Sequence, residues 1–207
     1  MQPIFNNKTI DRFLVIGESS DINTFIIINK VDLNKENLID EWVKLYQNIG
    51  YKVIKTSIIT ETGLQELKEM FCDKKNLLWG QSGVGKSSIL NKIYSKLDLN
   101  VGDISSYTDK GKHTTVTSTM IETEPETYII DTPGVREIDP YGIRKEDLCH
   151  YFIEFPDYSI NCRFNTCIHL HEPGCAVIKA VEKGEISAER YDSYLRILET
   201  IEQDIHF

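Results

Sequence analysis

The chain of 207 residues contains one strong motif, Gly80-Gln81-Ser82-Gly83-Val84-Gly85-Lys86-Ser87. It matches the phosphate-loop pattern G-x-x-x-x-G-K-[ST], and it lies between a predicted strand and a predicted helix. Glycines allow a backbone path whose N–H groups converge on a phosphate. Lys86 reaches the β- and γ-phosphate oxygens, and the Ser87 hydroxyl is a ligand for Mg²⁺. The sequence therefore predicts a nucleotide-binding loop that extends to Ser88, with a glycine-rich turn lacking a ligand as the alternative.

A second motif, Asp131-Thr132-Pro133-Gly134, follows a predicted strand. It resembles the DxxG element of GTPases, in which the aspartate holds an Mg²⁺-bound water and the glycine amide contacts the γ-phosphate. The same four residue types also form an ordinary turn in other proteins. Because a phosphate loop precedes the motif in this chain, the GTPase interpretation of Asp131 and Gly134 is favoured.

A third motif, Asn29-Lys30-Val31-Asp32, ends another predicted strand and matches the guanine-reading NKxD element. The Asp32 carboxylate can accept hydrogen bonds from guanine N1–H and N2–H, whereas adenine offers neither donor. Guanine is therefore the predicted base, and a helix-initiating loop is the alternative. Thr56 and Ser57 follow the next strand, where GTPases carry a second base-contacting loop; an ordinary loop or helix cap is equally compatible with them.

The order of these motifs differs from that of ordinary GTPases, in which the phosphate loop comes first. Here NKVD at residues 29–32 precedes the phosphate loop, which in turn precedes DTPG at residues 131–134. Each nucleotide loop lies at the carboxyl end of a strand, so rejoining the chain elsewhere leaves such a site intact. The sequence therefore resembles a circularly permuted GTPase.

A cluster of metal-binding residue types lies near the C-terminus, at Cys162, Cys167, His169 and Cys175. Three thiolates and one imidazole suit a closed tetrahedral Zn²⁺ site, which would stabilise a small helical segment. His171 is a less favoured substitute ligand, and cysteines buried without metal are the alternative. The two remaining cysteines, Cys72 and Cys149, are predicted to be buried thiols.

Hydrophobic spacing predicts strands alternating with helices over the first two thirds of the chain, which is typical of an α/β sheet with helices on both faces. Predicted strands lie at residues 24–28, 51–54, 76–79, 115–122 and 126–130, and predicted helices at residues 10–16, 36–48, 64–71 and 87–97. No strand pattern follows residue 141, and a final helix is expected after Ser187. The expected organisation is a circularly permuted GTPase domain at residues 1–140 and a small α-helical zinc-binding domain at residues 141–207.

The amino-acid composition excludes several classes of protein. The formal net charge is −9, which argues against broad electrostatic wrapping of nucleic acid, although residues 74–119 form a locally basic segment. A hydrophobic content of 41% with 27% charged residues indicates a globular chain. No apolar run approaches the roughly 20 residues of a membrane span, and no signal-peptide pattern is present. The odd number of cysteines, 5, favours reduced thiols and a cytoplasmic location.

Further motifs resemble one particular family. Gly111-Lys112-His113-Thr114-Thr115 resembles the GxHTT switch of the bacterial ribosome small subunit-dependent GTPase A family, and Val135-Arg136-Glu137 and the cysteine spacing are similar to that family too. The resemblance implies that Thr115 closes over Mg²⁺ and the γ-phosphate, and that His113 positions or polarises the attacking water. Val135 stands where Ras-like enzymes place a water-orienting glutamine. A solvated loop histidine is the alternative for His113.

The same resemblance implies hydrolysis of GTP to GDP and phosphate during late maturation of the small ribosomal subunit. It implies Mg²⁺ with the nucleotide, one structural Zn²⁺, Lys86 as a catalytic cation, and binding of a cytoplasmic monomer to the subunit and its RNA. Members of the family carry an N-terminal OB-fold and then a first GTPase strand. We expect this chain to lack both and to bind ribosomes weakly. The alternative is a regulatory remnant that binds GTP and GDP without efficient hydrolysis or docking.

Overall fold

The computed structural model describes residues 5–34, 38–95, 97, 119–131 and 142–203. Seven α-helices and five strands form within these residues. Short 3₁₀ turns occur at Val31–Leu33 and Leu148–Tyr151. In chain order the helices and strands are α1 Asn7–Ser19, β1 Phe25–Ile28, α2 Leu38–Ile49, β2 Lys52–Lys55, α3 Leu64–Phe71, β3 Lys75–Leu77, α4 Lys86–Ile93, β4 Thr119–Glu124, β5 Thr127–Asp131, α5 Pro156–Ser159, α6 Ala176–Glu182 and α7 Ala188–Gln203.

The ends of α1, α2 and α4 differ from the predicted ends, and local geometry explains the difference at the start of α1 and at the end of α4. Helix α1 begins before residue 10 because Asn6 caps it, its side-chain oxygen accepting a hydrogen bond from the Lys8 N–H at 3.1 Å. Helix α4 ends at Ile93, before residue 97, because Tyr94 leaves the helical conformation with ψ 89°. Local capping and backbone geometry therefore set these ends, and the hydrophobic pattern alone located only the helix centres.

The five described strands form two sheets. Strand β1 pairs with β2, and the second sheet has the order β3-β5-β4. Strands β3 and β5 are parallel, with Leu77 opposite Ile130, whereas β4 is antiparallel to β5. The predicted α/β fold class is confirmed. Because β3 and β5 run in the same direction, Asp131 at the end of β5 lies at the sheet edge from which the phosphate loop departs.

The described residues group into two compact units. The first contains residues of Met1–Phe5, Ile27–Ile39 and Val53–Glu137, and the second contains residues of Asn6–Ile26, Asp40–Lys52 and Ile138–Phe207. Helix α1 belongs to the second unit, where it packs against α7. The division into domains at residues 1–140 and 141–207 stays a prediction.

Each unit has its own apolar core. In the first, helices α3 and α4 contact each other and bury leucine, phenylalanine and isoleucine side chains, including Phe71 and Leu90. In the second, the rings of Phe152 and Phe155 lie 5.0 Å apart, and the ring of Tyr194 lies 5.0 Å from that of Phe155. Helix α7 therefore turns its apolar face to the core, as its amphipathic pattern requires.

A buried ion-pair network ties together distant segments of the second unit. The Arg190 guanidinium donates to both carboxylate oxygens of Glu154, at 2.7 and 2.8 Å, and to Asp11 at 2.7 Å. Tyr46 also donates to Asp11 at 2.7 Å, and Arg190 lies over the Phe152 ring at 4.5 Å. Burial, followed by the charge of Asp11, raises the pKa of Tyr46, so this hydroxyl stays a donor.

The two cysteines outside the C-terminal cluster differ in exposure. Cys149 is buried as predicted, and its burial raises its pKa to about 11. The prediction that Cys72 is buried is wrong, since Cys72 is exposed. It is the residue that ends α3 and leaves the helical conformation with ψ 136°, so it does not continue the buried stripe of Leu64, Leu67 and Phe71. No helix among the described residues combines the length and apolar character that a bilayer crossing requires.

Candidate functional site

The phosphate loop joins β3 to α4 in the first unit. Gly85 precedes α4 with a left-handed φ of +99°, a conformation that side chains other than glycine rarely adopt. A Cβ atom at Gly85 would collide with the side-chain nitrogen of Asn29. Glycine is therefore required here twice, by the backbone conformation and by the close approach of the NKVD loop.

The polar side chains of the phosphate loop and the start of α4 lie close to the loop backbone. Lys86 donates from Nζ to the carbonyl oxygens of Gly80 and Gln81 at 2.5 and 3.1 Å. Ser87 lies in the first turn of α4 and is buried, and Ser88 beside it is half-buried. The positively charged Lys86 ammonium group therefore lies inside the loop. There it and the backbone N–H groups could contact a bound phosphate.

The NKVD loop is hydrogen-bonded directly to the phosphate loop. The Asn29 side-chain amide donates to the Val84 carbonyl oxygen at 2.9 Å, and the Lys30 ammonium donates to the Gly83 carbonyl oxygen at 2.7 Å. These partners are 55 and 53 residues apart in the sequence. The two motifs predicted to hold the base and the phosphates of one nucleotide therefore form one continuous surface.

Thr56 and Ser57 form hydrogen bonds to side chains of the NKVD loop. The Thr56 hydroxyl donates to the Asn29 side-chain oxygen at 3.1 Å, and the Ser57 hydroxyl donates to the Asp32 carboxylate at 2.5 Å. Both residues are fully buried, and the Ser57 oxygen also accepts from the N–H groups of Ile59 and Thr60. Sequence reasoning predicted base contacts for this pair and missed its positioning contacts, although two hydroxyls after a strand were the available signal.

The other predicted nucleotide residues divide between described and undescribed parts of the chain. Asp131 ends β5, where its backbone pairs with that of Thr119. His113, Thr115 and Gly134 lie outside the described residues. Their roles stay predictions.

The four metal-binding side chains come together in the second unit. The ligand atoms of Cys162, Cys167, His169 and Cys175 all lie within 4.8 Å of one another. His169 Nδ1 lies 3.6 Å from the Cys162 sulfur and 3.3 Å from the Cys175 sulfur, and the two sulfurs are 3.9 Å apart. A tetrahedral zinc ion with Zn–S bonds of about 2.3 Å separates its sulfur ligands by about 3.8 Å. The cluster therefore has the dimensions of a closed zinc site.

The surroundings of this cluster favour charged thiolates around a cation. The Ala176 N–H donates to the Cys162 sulfur at 3.3 Å, and the Ile178 N–H donates to the Cys175 sulfur at 3.4 Å. Burial raises the pKa of Cys167 to about 12, so a thiolate there needs a compensating positive charge. Burial also lowers the pKa of His169, which favours the neutral imidazole that metals bind. Among the described residues, His171 is not part of the cluster.

The Glu172 carboxylate organises the backbone of the loop that carries His169. Glu172 accepts from the backbone N–H groups of Ile168, Leu170 and His171 at 2.8, 2.9 and 3.1 Å. Burial raises the pKa of Glu172, but the backbone donors lower it by more, so the carboxylate stays charged near neutral pH. Tyr191 adds a hydrogen bond to the His169 carbonyl oxygen at 2.7 Å. The ligand loop is therefore rigid around its left-handed His169.

The parallel strands, the glycine loop leading into α4 and the hydrogen-bonded NKVD loop define a P-loop fold of the circularly permuted GTPase class. A sequence model of the RsgA GTPase family matches residues 1–141. The chain belongs to this family.

Relatives and solved structures agree with this assignment. The chain is 40% identical over 201 residues to the small ribosomal subunit biogenesis GTPase RsgA of Chlorobaculum parvum, covering 97% of this chain and 65% of that protein. It is 39% identical to the protein of the same name from Caldanaerobacter subterraneus, covering 98% of this chain and 68% of that one. The chain thus spans about two thirds of the length of these relatives.

Two crystal structures share the fold. YjeQ from Thermotoga maritima superimposes with a TM-score of 0.80 at 37% identity, over 97% of this chain and 67% of that one. YloQ, described as a circularly permuted GTPase, superimposes with a TM-score of 0.76 at 35% identity, over 99% of this chain and 66% of that one. The circular permutation predicted from the motif order is confirmed.

Proposed function

We propose that this chain binds guanine nucleotides with Mg²⁺, hydrolyses GTP to GDP and phosphate, and acts in small ribosomal subunit biogenesis. The observation that carries the proposal is the pair of hydrogen bonds from Asn29 and Lys30 to the phosphate loop. These two hydrogen bonds join the base-reading motif to the phosphate-binding motif. A glycine-rich turn without a ligand would not require such contacts. The names of the relatives support the ribosomal role.

Base recognition is assigned to Asp32. The Ser57 hydroxyl donates to one of its carboxylate oxygens, which restricts the rotation of the carboxylate and leaves acceptor capacity for guanine N1–H and N2–H. Adenine has no donors at these positions and would leave the acid unpaired. Asn29 and Thr56 hold the loop that carries this carboxylate.

Phosphate recognition is assigned to the N–H groups of residues 80–88 and to Lys86. When nucleotide is bound, the Lys86 ammonium exchanges the Gly80 and Gln81 carbonyl oxygens for phosphate oxygens of greater charge. Ser87 and Thr115 would be the ligands of Mg²⁺, and Asp131 would hold a water of the ion. Mg²⁺, when bound, neutralises charge on the β- and γ-phosphates.

The catalytic assignment follows the switch motif. Val135 cannot orient a water, so His113 is proposed to position the attacking water, and Thr115 to close over the γ-phosphate. Lys86 stabilises the negative charge that develops on the transferred phosphoryl oxygens. Gly134 supplies a backbone N–H to the γ-phosphate.

Zinc is assigned a structural role in the segment after residue 141. Cys162, Cys167, His169 and Cys175 supply four protein ligands, so a bound ion has no open position for water or substrate. The ion would neutralise buried thiolates and hold the short α6 and its preceding loops against the core. The proposed partner of the whole protein is the small ribosomal subunit with its RNA, met by a cytoplasmic monomer.

Nucleotide selectivity and turnover test the proposal separately. Calorimetry should show GDP and GTP binding and much weaker ATP binding, and Asp32→Asn should weaken GTP binding by roughly 2–4 kcal/mol. Single-turnover GTP hydrolysis should be slow alone and faster with small ribosomal subunits. Equal affinity for ATP and GTP would refute the guanine assignment. Tight GTP binding without hydrolysis, with or without subunits, would instead support a regulatory nucleotide-binding protein.

A further inference from the structure

The side chain of His169 lacks the hydrogen bond that ordinarily orients a metal-binding histidine. Its Nδ1 atom lies 3.3 Å from the Cys175 sulfur and 3.6 Å from the Cys162 sulfur, so Nδ1 is the nitrogen that faces the other ligand atoms. Its Nε2 atom is buried and has no hydrogen-bond partner among the described residues. In most metal sites this second nitrogen donates to a carboxylate, a carbonyl oxygen or a water, and the ring is fixed by that bond. The orientation of His169 therefore depends on contacts to its backbone.

The Glu172 side chain holds the backbone on both sides of His169. One carboxylate oxygen accepts from the Ile168 N–H at 2.8 Å, and the other accepts from the N–H groups of Leu170 and His171 at 2.9 and 3.1 Å. His169 lies between these donors with a left-handed φ of +55°. Residues other than glycine adopt this conformation at a cost, so it persists where neighbouring contacts enforce it. The carboxylate supplies such contacts.

Helix α7 holds the carbonyl groups of the same loop. The Tyr191 hydroxyl donates to the His169 carbonyl oxygen and the Tyr194 hydroxyl donates to the Ile168 carbonyl oxygen, both at 2.7 Å. The loop is thus fixed to the core through its carbonyl groups, whereas its N–H groups converge on Glu172. Removal of the carboxylate would leave the loop attached to α7 but free to turn its N–H groups, and the His169 ring with them.

We propose that Glu172 is the positioning residue of the metal cluster and that it directs His169 Nδ1 towards the metal by holding the backbone, in place of a partner on Nε2. Glu172 can have this role only if zinc is the structural ion proposed above. It is not one of the four residues whose ligand atoms come together, and both of its oxygens accept from backbone N–H groups. It therefore acts through His169 and not as a further ligand.

The thiolate ligands are positioned independently of Glu172. The Cys162 sulfur accepts from the Ala176 N–H and the Cys175 sulfur accepts from the Ile178 N–H, both in the first turn of α6. These contacts do not involve the Glu172 side chain. Loss of the carboxylate should therefore affect one ligand of the four, which distinguishes a positioning role from a general contribution to folding.

Zinc titration of the full chain in competition with a chromophoric chelator tests this role. Glu172→Ala should bind zinc roughly 10- to 100-fold more weakly than the unaltered chain, which is the usual effect of losing a residue that orients a metal ligand. Glu172→Gln keeps the shape and one acceptor oxygen, so it should lose less affinity, and it replaces Glu172→Ala if that variant folds poorly. Glu182→Ala, which removes an exposed carboxylate at the end of α6, is the control and should bind zinc as tightly as the unaltered chain.

A double-mutant cycle with His169→Ala separates positioning from general stabilisation. The His169→Ala chain retains three cysteine ligands, and Glu172→Ala should have almost no further effect on its zinc affinity if Glu172 acts through His169. Unchanged affinity in Glu172→Ala, an equal loss in Glu182→Ala, or an equal loss in the His169→Ala background would overturn the positioning role and leave the zinc site intact. Absence of zinc binding by the unaltered chain would instead refute the zinc site, and the role of Glu172 with it.

Discussion

Replacing Ser57 by Ala tests whether base recognition depends on a residue placed behind the nucleotide loop. The Ser57 hydroxyl donates to the Asp32 carboxylate at 2.5 Å and is fully buried. Its removal leaves Asp32 free to rotate, and ordering that side chain on binding then costs about 0.5–1.5 kcal/mol. Guanine nucleotide affinity should therefore fall roughly 2- to 12-fold, because 1.4 kcal/mol corresponds to a factor of ten.

Calorimetric titration of GDP and ADP distinguishes this positioning role from general damage. The contacts of the phosphate loop are unchanged by Ser57→Ala, so the weak affinity for ADP should stay constant while the GDP affinity falls. Thr60→Ala is the matched control, since the Thr60 hydroxyl is exposed in the same loop and is hydrogen-bonded to the hydroxyl of Thr62. It should leave both affinities unchanged.

A double-mutant cycle with Asp32→Ala tests whether Ser57 acts through the Asp32 carboxylate. If Ser57 acts through Asp32, its replacement should have almost no further effect once Asp32 is absent. An equal loss of GDP affinity in both backgrounds would show that Ser57 acts on the nucleotide by another route. Parallel loss of GDP and ADP binding would indicate a general loss of structure.

Three further predictions concern catalysis, metal binding and stability. His113→Ala should leave GTP affinity unchanged but lower single-turnover hydrolysis by about 10²-fold, because water positioning acts only on the chemical step; unchanged turnover would contradict the catalytic role. Elemental analysis should find one Zn²⁺ per chain, and chelation should lower the melting temperature, whereas an unaltered melting temperature on metal removal would refute a structural ion. Arg190→Ala should destabilise the protein by roughly 3–5 kcal/mol in urea unfolding, because it leaves the Asp11 and Glu154 carboxylates unpaired. Arg196→Ala, at an exposed pair, should cost roughly 0.5 kcal/mol or less.

The motif residues of the nucleotide loops could be predicted because their requirements are local. A phosphate loop needs glycines, a lysine and a serine at contiguous positions between a strand and a helix, and residues 80–87 meet this condition in the structure. The cysteine and histidine spacing likewise predicted the cluster at Cys162, Cys167, His169 and Cys175. In both cases a short stretch of chain carries nearly all of the chemistry, so its pattern can be read without knowledge of distant partners.

The positioning contacts could not be predicted in the same way. The pattern around Thr56 and Ser57 was compatible with base contacts, an ordinary loop or a helix cap, and only the fold brings their hydroxyls to Asn29 and Asp32. Cys72 was predicted to be buried but is exposed. Residue type alone does not show whether a residue at the end of a helix faces the core or the solvent.

The order of the motifs along the chain was enough to reveal the permuted GTPase class, since each motif lies at the end of its own strand wherever the chain is joined. The contacts of Asn29 with Val84, 55 residues away, and of Arg190 with Asp11, 179 residues away, emerged only from the folded chain. Helix and strand periodicities describe one element at a time, whereas a hydrogen bond between elements depends on how their side chains pack in three dimensions. The residues that carry the chemistry of the site therefore lie in short contiguous motifs, which the sequence alone reveals. The hydrogen bonds that hold these motifs in place come from residues distant in the sequence, which only the packing of the folded chain brings together.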